Sequence, residues 1–267
     1  MYTVRDHTHT AADLAEALRR IAAIGYPAVQ LSAVGAMNGE SPAVTAKDAA
    51  RMLADRGLKC IATHRSWERL ARHTDEEIEF HGTLDCGYVA IGGIPGEYGA
   101  EGADGYRRFV EEAAPVVERL RAAGIGFGHH NHAHEFERFD AGNPATLFDI
   151  LIDDGGPDYL LEVDVYWAWH AGVDPSDLLR RCSGRVPVIH LKDKEVVGGK
   201  PEIGAIGEGN LPWRAILGAG EEAGVAWYCI EQDTCRRDPF DCLASSFRYL
   251  SEGNFPVRTT VSGETGN

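Results

Sequence analysis

The chain has 267 residues, 44% hydrophobic and 25% charged, with a net charge of −15 at pH 7. This is ordinary globular composition, long enough for one large domain with a full core. The acidity, with no Lys/Arg stripe, argues against a generic nucleic-acid binder, which needs basic side chains to displace counterions from phosphates.

Six cysteines (Cys60, Cys86, Cys182, Cys229, Cys235 and Cys242) form no CxxC pair and sit mostly in apolar runs. Free thiols in a reducing compartment are therefore expected. No apolar run reaches the roughly 18 residues of a membrane span, and "MYTVRDHTHT" lacks a basic-then-apolar leader. A cytoplasmic protein without membrane contact is the expectation.

In chain order, "MYTV" reads as a first strand. Seven times thereafter a helical stretch meets a glycine and then an apolar run, at Gly25, Gly57, Gly87, Gly124, Gly156, Gly184 and Gly224. Each glycine reads as a left-handed helix cap. Their spacings, between 28 and 40 residues, describe units of near-constant size. Helix starts are marked as well. Thr45 with Asp48 and Thr74 with Glu77 have capping-box spacing. Asp174 and Asp238 each precede a proline suited to a first helical turn. "AADLAEALRRIAAIG" and "DGYRRFVEEAAPVVERLRAAG" are the longest amphipathic stretches. Eight strand-then-helix units predict an α/β (β/α)8 TIM barrel in a single domain, residues 1–253, followed by a polar tail over 254–267. The rival, an open doubly wound sheet, lacks its glycine-rich turn after the first strand.

In such a barrel, chemistry gathers where strands end. The strand ends here carry Arg5–Asp6–His7, then Gln30 and Ser32, then His64–Arg65, then the glycine-rich "IGGIPGEYG". The fifth run closes in "GHHNHAHEF", four histidines and a glutamate within seven positions. The last three runs supply Glu162 and Asp164, then His190, Lys192 and Asp193, then Glu231 and Asp233. Strand alternation puts Glu162 with Asp164, and His190 with Lys192, on inward faces. Gly126 and Gly128 share the face of His130 and His132, leaving inward space beneath them. Converging carboxylates would repel unless a cation joined them. Carboxylate and imidazole donors without cysteine suit Mn2+, Mg2+, Co2+ or Zn2+.

The ordered series "HNHAHEF", "EVDVYWAWHAGVDP", "VIHLKD", "GEGNLPW" and "CIEQD" resembles the sugar phosphate isomerase/epimerase family, xylose-isomerase-like TIM barrels related to inosose dehydratase and endonuclease IV. The resemblance covers nearly the whole chain. It implies one divalent metal held by Glu135 or a neighbouring fifth-run residue, Asp164, His190 and Glu231. It implies a sugar or cyclitol substrate steadied by Lys192 and lined by His64, Tyr166 and Trp213, and by analogy a homodimer. Proton transfer next to a carbonyl through an enediolate would use His130, His132 or Glu135 on one side and Glu231 on the other. Two departures stand out. The fifth run ends in His130 where the epimerases carry a metal-binding glutamate, which opens a dehydratase or lyase acting on keto-inositols or keto-glycosides. The first strand begins at Met1, implying a short strand or a longer natural N-terminus. A non-catalytic sugar-binding barrel and, last, an abasic-site endonuclease complete the alternatives.

Overall fold

The computed structural model describes residues 1–140, 142, 144–253 and 255. Its centre is a parallel sheet of seven strands in the order β1 (Ala28–Leu31), β2 (Lys59–His64), β3 (Tyr88–Ile91), β4 (Gly126–His130), β5 (Tyr159–Asp164), β6 (Val188–Leu191) and β9 (Trp227–Ile230). An antiparallel hairpin, β7 (Asp193–Val197) with β8 (Lys200–Gly204), stands between β6 and the helix that leads to β9. The helices lie between strands: α1 (Ala11–Ile24), α2 (Ala46–Ala54), α3 (Trp67–Arg72), α4 (Thr74–Thr83), α5 (Gly96–Gly99), α6 (Gly102–Ala122), α7 (Leu147–Asp153), α8 (Val165–His170), α9 (Pro175–Arg181), α10 (Trp213–Ala223) and α11 (Pro239–Glu252). The result is a nearly closed α/β TIM barrel. The tail expected over 254–267 lies, apart from Phe255, outside the described residues.

The expected first strand is not a strand. Tyr2–His7 forms a short 3-10 stretch with a kink at Val4. It occupies the seam between β1 and β9 and is pinned by end-on contacts rather than by a ladder. The N-terminal ammonium donates to the Gln30 carbonyl at 2.7 Å, the Gln232 amide donates to Thr3 Oγ1 at 3.0 Å, and Arg5 reaches the Asp233 carbonyl at 3.0 Å. The chain must turn within a few residues to enter α1, whose capping box is Thr10 with Asp13, and an extended run has no room to do so.

Six of the seven glycines expected as caps have positive φ; Gly87 does not. There Asp85 takes the left-handed conformation two residues earlier, and Gly87 leads directly into β3. Thr45–Asp48 forms its capping box, and Asp174 and Asp238 cap helices with proline in the first turn. Thr74–Glu77 does not form one, because α3 ends immediately before α4. Thr74 Oγ1 donates to the Leu70 carbonyl, and Glu77 binds Arg65 and Arg69 instead.

The apolar core lies mainly between sheet and helices, in one large cluster around β3 to β6 and a second around α1, β1 and α2. Inside the barrel a small layer of Ala62, Tyr88, Ala90 and Val188 forms a floor. The inward space at the fifth-run glycines is not empty: a Cβ on Gly128 would lie 1.8 Å from the Tyr88 hydroxyl oxygen. Glycine at 128 is what allows this ring to fill the barrel beneath the histidines. No helix among the described residues is long and apolar enough to cross a membrane. All six cysteines are free.

Candidate functional site

Above the Tyr88 floor the inward side chains become ionisable, and strand register decides which of them meet. His130 pairs with Glu162 across β4 and β5, and Asp164 with His190 across β5 and β6. Glu162, Asp164, His190 and Lys192 are buried to within 1% of full burial, and Glu231 nearly so.

The lower layer centres on Glu162. Its Oε2 lies 2.5 Å from His64 Nε2, 3.3 Å from His190 Nε2 and 3.4 Å from His130 Nδ1, while Gln30 donates to Oε1 at 2.7 Å. Burial opposes its ionisation, yet the imidazoles of His190 and His64 hold the carboxyl well below the usual range. The upper layer centres on Lys192. Its ammonium lies 2.8 Å from Glu231 Oε1 and 2.9 Å from both Asp164 Oδ2 and Asp233 Oδ1. Burial would deprotonate it, but these three carboxylates overcome burial and raise its pKa. His190 is likewise disfavoured as a cation by burial and driven the other way by Glu162 and Glu231, up to about 9. His130 has burial as its dominant influence and is held neutral, well below the ordinary imidazole value.

Asp164, His190 and Glu231 each offer a ligand atom within 4.8 Å of the others. Their local structure orients those atoms. Asp164 is the N-cap of α8, with Oδ1 accepting from the Trp167 amide, so Oδ2 is left to the Lys192 ammonium at 2.9 Å. Asn131 fixes the same residue by accepting from its amide through Oδ1 and donating to its carbonyl through Nδ2. His190 Nδ1, 3.4 Å from Glu231 Oε1, is buried without a hydrogen-bond partner. Asp164, Glu231 and Asp233 gather three carboxylates around the Lys192 ammonium and beside the His190 imidazole, an oxygen-rich donor set of the kind a divalent ion takes. By donor chemistry and spacing the trio fits such an ion, whose binding would displace the Lys192 contacts and the proton on His190. The group of His64, His130, Glu162 and His190 also has close ligand atoms. It offers a single carboxylate, Glu162, whose oxygens are engaged by Gln30 and His64.

Glu135, expected as a fourth ligand of this ion, is not brought to the trio. The chain turns away after β4, and its carboxylate folds back to accept from the His132 amide at 2.8 Å. It gathers with His132 and His134 in a separate group. Of the fifth-run candidates only His130 faces the trio, with Nε2 4.0 Å from Asp164 Oδ2. His64 reaches the site through Glu162. Tyr166 is buried at the rim, where burial and then Asp233 and Asp164 raise its hydroxyl pKa. Trp213 does not face the site. Its indole N–H donates to Asp193 Oδ2 and its ring joins the outer core. Period-two alternation already placed Glu162 beside Asp164, and could have singled it out as a site residue. Nothing in sequence paired Gln30 with Glu162 or Asn131 with Asp164.

Comparison with known proteins agrees with this architecture. Residues 18–251 match the model of the xylose isomerase-like TIM barrel family. The chain belongs to that family. Among solved structures it is similar to a sugar phosphate isomerase/epimerase from Parabacteroides distasonis, at 22% identity and TM-score 0.74, with 91% of this chain and 90% of that chain covered. It is similar to an L-ribulose 3-epimerase at 16% identity and TM-score 0.67, with 91% and 89% covered. It is also similar to the probable 3-DHS dehydratase AsbF from Bacillus anthracis at 13% identity and TM-score 0.68, with 94% and 96% covered. These likenesses are of fold. No curated protein matches the chain.

Proposed function

We propose that the chain is a divalent-metal-dependent enzyme that moves a proton on a carbon beside a carbonyl of a sugar or sugar derivative, giving isomerisation or epimerisation. The observation that carries this reading is the convergence of Asp164, His190 and Glu231, each with a ligand atom within 4.8 Å of the others, opposite a neutral, buried His130. Asp164, His190 and Glu231 would hold the ion. When bound, the ion (Mn2+, Mg2+, Co2+ or Zn2+) supplies Lewis-acid polarisation of adjacent substrate oxygens.

His130 turns Nδ1 toward the ionised Glu162, which favours the tautomer with its proton there and leaves the Nε2 lone pair for a substrate proton. Such a general base contributes about 10²- to 10⁴-fold. Glu162, clamped by Gln30 and His64, would support the charge that His130 gains. Lys192 presents N–H donors to a substrate oxygen that becomes anionic, and its three carboxylate neighbours keep it charged. Glu231, across the pocket, is the second proton carrier. The relatives described as an epimerase and an isomerase/epimerase support the substrate class.

One observation favours a second reading. A histidine rather than a carboxylate closes β4, so the two sides of the pocket differ in basicity. That asymmetry suits loss of one proton followed by departure of a β-substituent, as in a dehydratase. Incubating metal-loaded protein with keto-sugars and inositols in D2O tests both. Solvent deuterium at one carbon is expected, with an epimer or a dehydrated product deciding the outcome. Glu231→Gln should lose at least 100-fold in turnover while keeping its circular-dichroism spectrum. Absence of exchange across the panel, or full activity of that variant with metal bound, would overturn the reading.

A further inference from the structure

The turn after β4 carries a cluster that this mechanism leaves unused. Glu135 is fully buried, and its Oε2 accepts from the His132 amide at 2.8 Å. Its Oε1 lies 3.2 Å from His134 Nε2 and 3.4 Å from His129 Nε2, both longer than the roughly 2.7–2.9 Å of a good charge-assisted bond. The imidazoles of His132 and His134 are stacked with centroids 5.7 Å apart and planes 14° from parallel. His132 Nδ1 is buried and has no hydrogen-bond partner. One ligand atom from each of His132, His134 and Glu135 lies within 4.8 Å of the other two. His129, held between Tyr159 and Glu135, limits how the carboxylate can rotate.

We infer that His132, His134 and Glu135 form a second metal site at the entrance, separate from the ion of the barrel axis and independent of that reading. Two imidazoles and one carboxylate select Zn2+, Co2+, Ni2+ or Cu2+ over Mg2+ or Ca2+. Three protein ligands leave coordination positions open. His132 and His134 line a cavity of about 520 Å3 whose other walls include Gly92, Gly93, Ile94 and Trp167. No side chain stands on the two glycines, so a water or a substrate oxygen has room to reach the ion. The spacing follows from the turn itself: Ala133 separates the two histidines and a single 3-10 turn over His134–Phe136 brings Glu135 back beneath them.

The test is metal stoichiometry on untagged protein, stripped with chelator, reloaded with Zn2+, desalted and measured by mass spectrometry. Wild type should hold two ions per chain and His134→Ala one. His134 is largely exposed, so that variant should fold. Asp164→Asn should retain the entrance ion, and adding His134→Ala to it should remove that ion. The Co2+-loaded protein should lose one visible absorption component in His134→Ala. Equal stoichiometry and equal Co2+ spectra in wild type and His134→Ala would overturn the inference, whether the count is one or two. One ion in wild type and none in His134→Ala would sustain the entrance site and remove the axial one instead.

Discussion

His81 shows what a single buried imidazole contributes away from the site. It lies on α4 against β2, fully buried, with Nδ1 2.6 Å from the Glu77 carbonyl and Nε2 2.7 Å from Thr63 Oγ1. A carbonyl only accepts, so Nδ1 carries the proton and Nε2 accepts from the threonine hydroxyl. Both contacts are made by the neutral ring, and burial lowers its pKa from 6.5. The folded state therefore binds fewer protons than the unfolded one in this range. The stabilisation is complete above about pH 6.5, the unfolded value, and is lost as pH falls from there through the folded value. Urea titrations should show stability falling on that limb, and His81→Leu should flatten it by up to roughly 1.4 kcal/mol per pH unit. An unchanged slope in the variant would refute the assignment. Glu77 acts in a lower window. Burial opposes its charge, but Arg65 and Arg69 depress its carboxyl below 4.5, so its contribution is lost only as pH falls beneath that value.

At the scale of elements, Asp193 organises the segment that leads from the β7–β8 hairpin into α10. Its carboxylate accepts from the amides of Lys194, Gly207, Gly209 and Leu211 and from the indole of Trp213. Glycine is required at 209, where a Cβ would lie 2.3 Å from Asp193 Oδ1. This accounts physically for "GEGNLPW": the motif is a set of donors wrapped on one buried anion, and Trp213 is part of that wrapping. Each orphaned buried donor costs about 1–3 kcal/mol. Asp193→Ala should then lose about 3 kcal/mol or more in urea unfolding and increase amide exchange over 205–213. Exchange confined to wild-type levels would show that the carboxylate is dispensable.

For the whole molecule, the carboxylates of β5 and of the segment after β9 and the imidazole of β6 meet only because the sheet curls until its ends are bridged by residues 1–7. An ion bound to these residues binds the folded chain alone, so it should raise stability by about 2.7 kcal/mol at a hundredfold excess over Kd. For a domain of this size that corresponds to roughly 5–10 °C in Tm. Thermal scans with and without Mn2+ or Zn2+ should show this rise, reduced in Asp164→Asn. No shift with any divalent ion would argue that Lys192 alone balances the barrel's negative charge.

The barrel was legible in the chain because helix caps and strand alternation are local: glycine accepts the left-handed turn that ends a helix, as at Gly25 and Gly224, and Asp174 with Pro175 suits a helix start. Local rules also put Asp164, His190 and Glu231 on inward faces at strand ends. They misread "MYTV", since whether four apolar and polar residues extend or coil depends on the distance left between β1 and β9. They could not divide the histidine-rich turn either. His130 belongs to the axis and Glu135 to the entrance because β4 ends between them, and only the packed barrel decides which carboxylate stands near which imidazole. Periodicity along a chain reports the direction of a side chain, whereas a site is a set of distances between strands remote in sequence.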